Sequence, residues 1–375
     1  MRRWRAFNVV CAELRAGLLG DLCFEKLLRV SWELLIESSS HHNVTPALSW
    51  CLKDKAVPPD IRSYFDAILC LNRTRNGGIV DGLARVVTAL NAIEIEPVLL
   101  KGVSHLIEDL YPAQGLRVVG DIDVLMPDGR ANDAAAALQR VGFSVSKYHL
   151  ESHLHLPVLR DNETGLCVEL HTRVEVKEAV IPTAWFRERT CPFPFRGLKL
   201  RVPEPTASIG LNIVHSQLNH EGYQTSGIEL RQLLDLAMIR ARHESAIDWF
   251  ELDHRFGAAG FGHVLASYLK FAEVFFGQTA PRLSNLPRKL ALERLRVFVE
   301  WPDRAKRRAA YITLTEENQA LRSQLDALQQ QLASVYSSTS WKISSPLRKV
   351  RQLIQLPRFG GPRRKAASCR SPASA

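Results

Sequence analysis

The sequence predicts an α+β fold: a small mixed β-sheet core flanked by N- and C-terminal helical regions, followed by a C-terminal coiled-coil helix. Three observations carry this. Apolar residues recur at helical spacing through residues 1–95 and again from about residue 206. Between these regions lie short apolar runs bounded by Gly and Pro, which read as strands. From Tyr311 the apolar spacing alternates between three and four residues, a heptad pattern. The expected divisions are an N-terminal helical region (1–95), an α/β core (96–202), a C-terminal helical region (203–300), a coiled coil (311–336) and a basic tail (337–375).

Helical spacing is carried first by Leu27, Leu28, Trp32, Leu35 and Ile36, then by Tyr64, Phe65, Ile68, Leu69 and Leu71. Thr45-Pro46 and Pro58-Pro59 suit helix starts. A further helix is predicted over 79–93. His41-His42 falls in a Ser-rich turn without partners at metal spacing, and reads as a solvated loop. Pro97 to Leu100 reads as a strand, 103–110 as a helix, 129–140 as an Ala-rich helix closing at Gly142. Strands follow at Phe143–Lys147, His153–Arg160 and Leu166–His171. Residues 172–205 are Pro-rich and read as an irregular connection. Helices are predicted over 206–220, 227–243, 248–276 and 287–299, with Arg231 and Asp235 read as an i, i+4 salt bridge.

The chemistry concentrates between residues 98 and 126. Asp121 and Asp123 stand two apart on a predicted strand and therefore share a face, with Ile122 and Val124 on the other. Two carboxylates on one face repel, and a divalent cation relieves the repulsion. The alternative is a solvated edge strand, but Val118, Val119, Leu125 and Met126 make this strand apolar. Gly102 lets backbone approach a ligand, and the helix after it would direct amide groups at phosphate. Ser104 offers a hydroxyl there. Lys101 reads either as a point charge for phosphate or as a solvated turn lysine. Arg117 reads equally as a phosphate contact or as the partner of a carboxylate.

Leu99-Leu100-Lys101-Gly102, Tyr111, Arg117 and Asp121-Ile122-Asp123-Val124-Leu125 together resemble an uncharacterised nucleotidyltransferase family of the polymerase β-like superfamily. The resemblance spans residues 30–245, including Leu230 to Leu236. It implies a third acidic residue on a later strand, and Cys167-Val168-Glu169-Leu170-His171 supplies one in Glu169. It further implies Asp121, Asp123 and Glu169 as catalytic residues holding Mg2+ (or Mn2+), and Lys101, Gly102, Ser104 and Arg117 as the nucleotide grip. His155 and His171 are then expected as polar support from neighbouring strands, because Mg2+ prefers oxygen ligands. The implied reaction moves a nucleotidyl group from an NTP to a hydroxyl acceptor. Lys-Gly stands where the superfamily usually has Gly-Ser, so the triphosphate grip departs from its pattern.

Charge and composition bound the partners. Residues 327–375 hold nine of the 49 basic residues and no acid, leaving 40 basic against 39 acidic elsewhere. The pI of 9.4 therefore belongs to the tail, and a basic groove for nucleic acid is disfavoured. Seven cysteines without C-x-x-C pairs suggest reduced thiols and a cytoplasmic setting. The N-terminus does not read as a signal peptide, and no apolar run reaches the ~18–20 residues of a membrane span. In the heptads, Asn318 at a core position favours a homodimer, the alternatives being a partner helix or packing on the body. Ser340 to Arg348 resembles an element that follows coiled coils in bacterial surface-polysaccharide glycosyltransferases. The basic amphipathic stretch after it suggests peripheral contact with the inner membrane surface. Two other functions compete: a D-x-D glycosyltransferase, which would need several β-α units before the D-x-D, and a non-catalytic coiled-coil scaffold of a polysaccharide-assembly complex.

Overall fold

The structure is a computed structural model that describes residues 2–20, 30–146, 154–176, 178–220, 222–224, 227–281 and 283. The chain divides into two units, Met1–Ala309 and Ala310–Ala375. Everything below concerns the first. The predicted helix at 287–299, the coiled coil, the 340–348 element and the basic tail lie outside the described residues.

Four helices precede the sheet: α1 (Arg2–Leu19), α2 (Trp32–His41), α3 (Thr45–Cys51) and α4 (Pro59–Asn91). Ser31 caps α2 by accepting from Leu34 N, and prolines open α3 and α4. The two helices predicted within 59–93 are one helix of 33 residues, running through Gly77-Gly78. Two interior glycines cost a helix roughly 1 kcal/mol each. The buried residues on both sides of them, Phe65 and Asn72 before, Ile79, Leu83, Val86, Val87 and Leu90 after, outweigh that.

The sheet has seven strands in the order β3-β4-β5-β2-β1-β7-β6. These are β1 (Val98–Leu99), β2 (Ile122–Leu125), β3 (Phe143–Val145), β4 (Leu159–Asp161), β5 (Cys167–His171), β6 (Thr190–Pro192) and β7 (Arg201–Pro203). β2 runs parallel to β5 and antiparallel to β1. Helices α5 (Lys101–Ile107) and α6 (Ala131–Arg140) follow β1 and β2. The predicted strand over 153–160 shrinks to β4 and a single bridge between His155 and His171. The Pro-rich stretch is more regular than its composition suggests. It holds α7 (Thr183–Glu188) and the β6–β7 hairpin, and β7 extends the sheet beside β1. Pro192 at the end of β6 is compatible with its place at the sheet margin.

The C-terminal region contains α8 (Pro205–Ile213), which continues as a π-helix over Val214–Asn219, then α9 (Leu230–His243). A 3-10 turn (Glu244–Ala246) leads to α10 (Trp249–Ala258) and α11 (Gly262–Phe276). The helix predicted over 248–276 is thus two, broken at Gly260, whose φ of 79° no helix accommodates.

Two apolar cores result, and β2 lies between them. Ile122, Val124 and Met126 pack with Leu83, Val86 and Val87 of α4 and Leu138 of α6. Leu125, with Val98 and Leu100, joins the core of α1–α3 and α8–α11. The sheet is therefore covered by helices on both faces. The face carrying the aspartates looks toward the C-terminal helices.

The loop leading into β2 is fixed by two asparagines one turn apart on α4. Asn72 Nδ2 donates to the carbonyls of Gly115 (2.7 Å) and Arg117 (3.1 Å). Asn76 Nδ2 donates to those of Gln114 (2.6 Å) and Arg117 (2.9 Å). The Arg117 carbonyl keeps one donor when either asparagine is replaced, but Asn72→Ala also leaves the buried Gly115 carbonyl without one, which costs about 1–3 kcal/mol. Urea unfolding of Asn72→Ala is expected to show a loss in that range, and Asn76→Ala a smaller one.

Candidate functional site

β2 places Asp121 and Asp123 on the face away from α4, as the alternation of its residues requires. The parallel pairing with β5 sets Glu169 beside Asp123 and His171 beside Leu125. His171 is two residues beyond Glu169 and so shares its face. Its Nε2 lies 2.8 Å from Asp123 Oδ1 and 3.3 Å from Glu169 Oε2. His155 comes alongside through its bridge, with Nε2 3.7 Å from Glu169 Oε2 and Nδ1 2.7 Å from the Leu156 carbonyl. Of these, Asp121, Asp123 and Glu169 line a cleft of about 210 Å³. Its remaining lining comes from α5, the loop before β2, α8, the π-helix and α9.

Lys101 completes the acidic cluster. Its Nζ donates to Asp123 Oδ1 at 2.7 Å, with only 19% of the side chain exposed. It begins α5 with φ of 55°, a left-handed conformation that non-glycine residues rarely adopt. Strain of this kind, roughly 1–3 kcal/mol, collects at functional sites where the surroundings over-determine it. Lys101 is thus neither a solvated lysine nor directed at open space.

The charges divide unequally between the two aspartates. Burial pushes Asp123 up, but the Lys101 ammonium and the His171 hydrogen bond hold its carboxyl well below the usual range. Asp121 has no such partner. Burial, then the charges of Asp123 and Glu169, push it up to about 6. His171 is depressed by burial and by Lys101, yet its hydrogen bonds to Asp123 and Glu169 prevail and raise it. Burial, with Lys101 and His220, drives His215 of the π-helix well below its ordinary value, so it lines the cleft as neutral imidazole. Single π turns recur at functional sites.

Asp123, Glu169 and His171 offer three ligand atoms within 4.8 Å of one another, a set that fits a divalent cation. Asp121 lines the same cleft but is not among the three. Two of the expected ligands, Asp123 and Glu169, thus belong to this set, together with His171, which was expected as polar support.

Ser104, Arg117 and Gly102 of the expected nucleotide grip all make contacts within the protein. Ser104 is fully buried, and its Oγ donates to Glu108 Oε2 at 2.6 Å instead of facing the cleft. Arg117 takes the carboxylate option: Nε and Nη2 bind Asp235 at 3.0 Å (Oδ1) and 2.7 Å (Oδ2). Tyr111 Oη donates to Asp235 Oδ1 at 2.8 Å, and His105 Nδ1 lies 3.7 Å from Oδ2. Asp235 therefore serves Arg117 and not Arg231, whose Nη1 donates to the Val118 carbonyl at 3.1 Å. Gly102 is required because a methyl group there would overlap the Arg117 guanidinium, so its service is to this ion pair. Asp235, His105, Ser208, Asn212, His215 and Gln232 line the cleft without having been singled out as site residues. Asp235 and His215 carried a partial signal, each being polar within a strongly apolar helical segment.

The Arg117–Asp235 pair is 8% and 1% exposed, and removing one member of such a pair costs about 3–5 kcal/mol. Asp235→Asn is expected to lose stability on that scale in urea unfolding. Although burial raises it, Arg117 and His105 hold Asp235 well below the usual carboxylate range. Its contribution is therefore complete above the unfolded-state value of about 4 and is lost as pH falls further. The gap between wild type and Asp235→Asn should stay constant from pH 8 to 5 and close below about pH 4. Gly102→Ala is expected to destabilise by about 1–3 kcal/mol by displacing Arg117, measured the same way.

Over residues 29–277 the sequence matches the family described as Uncharacterised nucleotidyltransferase. One similar solved structure is that of an antigenic nucleotidyltransferase-like protein from Paracoccidioides brasiliensis, at 13% identity and a TM-score of 0.35. That likeness covers 54% of this chain and 93% of the other. No curated protein matches.

Proposed function

This chain belongs to the uncharacterised nucleotidyltransferase family, and from that premise we propose that its acidic cleft transfers a nucleotidyl group from an NTP to a hydroxyl acceptor with the help of a divalent cation. The observation that carries this is the pairing of Asp123 with Glu169 across two parallel strands, with His171 joining their ligand atoms. In the reaction an acceptor oxygen attacks the α-phosphorus, the bond to the β-phosphate oxygen breaks, and pyrophosphate leaves. Asp123, Glu169 and His171 would hold the cation, which neutralises charge on the phosphates. The imidazole favours Mn2+ relative to an all-oxygen set, while Mg2+ remains compatible with the two carboxylates. Asp121, pushed up to about 6, is suited to exchange a proton with the acceptor hydroxyl near neutrality. Lys101 holds Asp123 in place before any cation or substrate enters.

The D-x-D glycosyltransferase reading lacks its nucleotide-binding half: among the described residues, those before Val98 form helices and no strand. Among the described residues no helix is long and apolar enough to cross a membrane. A place in surface-polysaccharide biosynthesis, a cytoplasmic location and inner-membrane contact through the basic tail remain part of the proposal, resting on sequence alone.

Asp123→Asn and Glu169→Gln are each expected to lower nucleotidyl transfer at least 100-fold, with Mn2+ affinity falling in parallel; Asp123→Asn, which leaves the buried Lys101 ammonium without its carboxylate, should also lower the melting temperature. A panel of ATP, GTP, CTP and UTP with either metal supplies the donor for the assay. Unchanged transfer by Asp123→Asn would sink the proposal.

A further inference from the structure

Three side chains of permanent positive charge line the cleft, and two are already committed. Lys101 is bound to Asp123 at 2.7 Å, and Arg117 is bound twice to Asp235. The third is Arg231, in the first turn of α9. Among the described residues no carboxylate lies within ion-pair distance of it. Its Nη1 meets only the Val118 carbonyl, and its Nε, buried, has no partner. Burial, and then Arg117, disfavour the charge that Arg231 carries and outweigh the favourable charges of Asp235, Glu229 and Asp121, which lie beyond ion-pair distance. A half-buried guanidinium in that state gains most from an anion.

The features expected to grip phosphate after β1 are all engaged elsewhere. Ser104 is turned to Glu108, and the space at Gly102 is taken by Arg117. α5, with seven residues, is short. α9 has fourteen residues, and the partial positive charge at its N-terminal end adds to Arg231. A guanidinium fork also matches phosphate oxygens in pairs, which an ammonium does not.

We infer that Arg231 holds the polyphosphate chain of the nucleotide, so that phosphate is gripped from α9 and not from the turn after β1. This rests on the cleft being the nucleotide site proposed above. The acids on β2 and β5 and the cation on α9 then border one cleft with opposite signs, as a substrate that carries both bound metal and phosphate requires.

The test is calorimetric titration of the full chain with inorganic tripolyphosphate, without divalent metal, for wild type, Arg231→Gln, Arg231→Lys and Asp123→Asn. Wild type should bind. Arg231→Gln should bind about 10- to 100-fold more weakly, the usual worth of a charge-assisted contact. Arg231→Lys should fall between, keeping charge but losing the fork. Asp123→Asn should bind tripolyphosphate at least as well as wild type while losing Mn2+. Melting temperatures without ligand separate loss of binding from loss of folding, and if the glutamine variant does not fold, the lysine variant carries the comparison. Equal binding by wild type and the Arg231 variants, or no binding by wild type, overturns the inference. Arg231-dependent tripolyphosphate binding without turnover of any NTP would retire the proposed activity and leave the phosphate site standing.

Discussion

The cleft depends on the Arg117–Asp235 ion pair. Arg117 ends the loop before β2, and Asp235 lies in the middle of α9, so the pair fixes the acid-bearing strand against the C-terminal helices. Desolvating both groups is expensive, and attraction offsets the cost only when the remaining hydrogen-bonding capacity is filled. Here it is filled from several elements. Tyr111 donates to Asp235 Oδ1, Arg117 donates to both oxygens, and Arg117 Nη1 donates to the Val118 carbonyl. Asn72 and Asn76 hold the Arg117 backbone carbonyl from the other side. Gly102 leaves the volume the guanidinium occupies. These residues make no chemistry themselves. They decide that Asp121 and Asp123 look into a cavity and not into a core.

A second constraint follows from placing three carboxylates around one small volume. Lys101 and His171 both stabilise the Asp123 carboxylate, whereas for Asp121 burial and the charges of Asp123 and Glu169 outweigh the pull of Lys101 and Arg231, so its proton is held more tightly. The Lys-Gly sequence, where the superfamily usually has Gly-Ser, acquires a physical meaning in this setting. The lysine accepts a strained backbone in order to deliver an ammonium to Asp123. Such a site is assembled before any metal arrives, and an entering cation competes with the ammonium for that oxygen. Preorganisation is gained at some expense in metal affinity.

Period-two alternation was enough to assign the faces of β2, because Ile122 and Val124 are apolar and Asp121 and Asp123 are not. The sheet register was beyond reach of spacing: Asp123 meets Glu169 only through a parallel pairing that closes across α6, β3 and β4. The same limit explains Asp235. Its neighbour in sequence, Arg231, satisfied the i, i+4 pattern, while its actual partner lies 118 residues away. Local patterns name plausible partners and cannot rank them against distant ones. The continuous α4 was obscured by Gly77-Gly78, since breaker residues outweigh a burial pattern that becomes visible only once the sheet is in place. Asn72 and Asn76 offered a usable sign, two amides one turn apart on an otherwise apolar face. β7 was hidden because prolines depress any strand assignment, although here Pro203 stands only at the strand's last residue.

Charge accounting across the cleft ties these observations to substrate binding. The carboxylates of β2 and β5 belong to strands packed on α4 and α6, and Arg231 belongs to the helical core. A nucleotide held as proposed, by a cation on the acids and by Arg231 at its phosphates, would bridge the two cores, and its binding energy would add to the Arg117–Asp235 tie between them. Ligand that binds only the folded state raises stability in proportion to the logarithm of its concentration over Kd. That gain is largest where the unliganded arrangement leaves a charge unmatched. Arg231, near Arg117 and without a carboxylate at ion-pair distance among the described residues, is such a charge. The unfavourable placement of the Arg231 charge is therefore what would give a phosphate its advantage over neutral occupants.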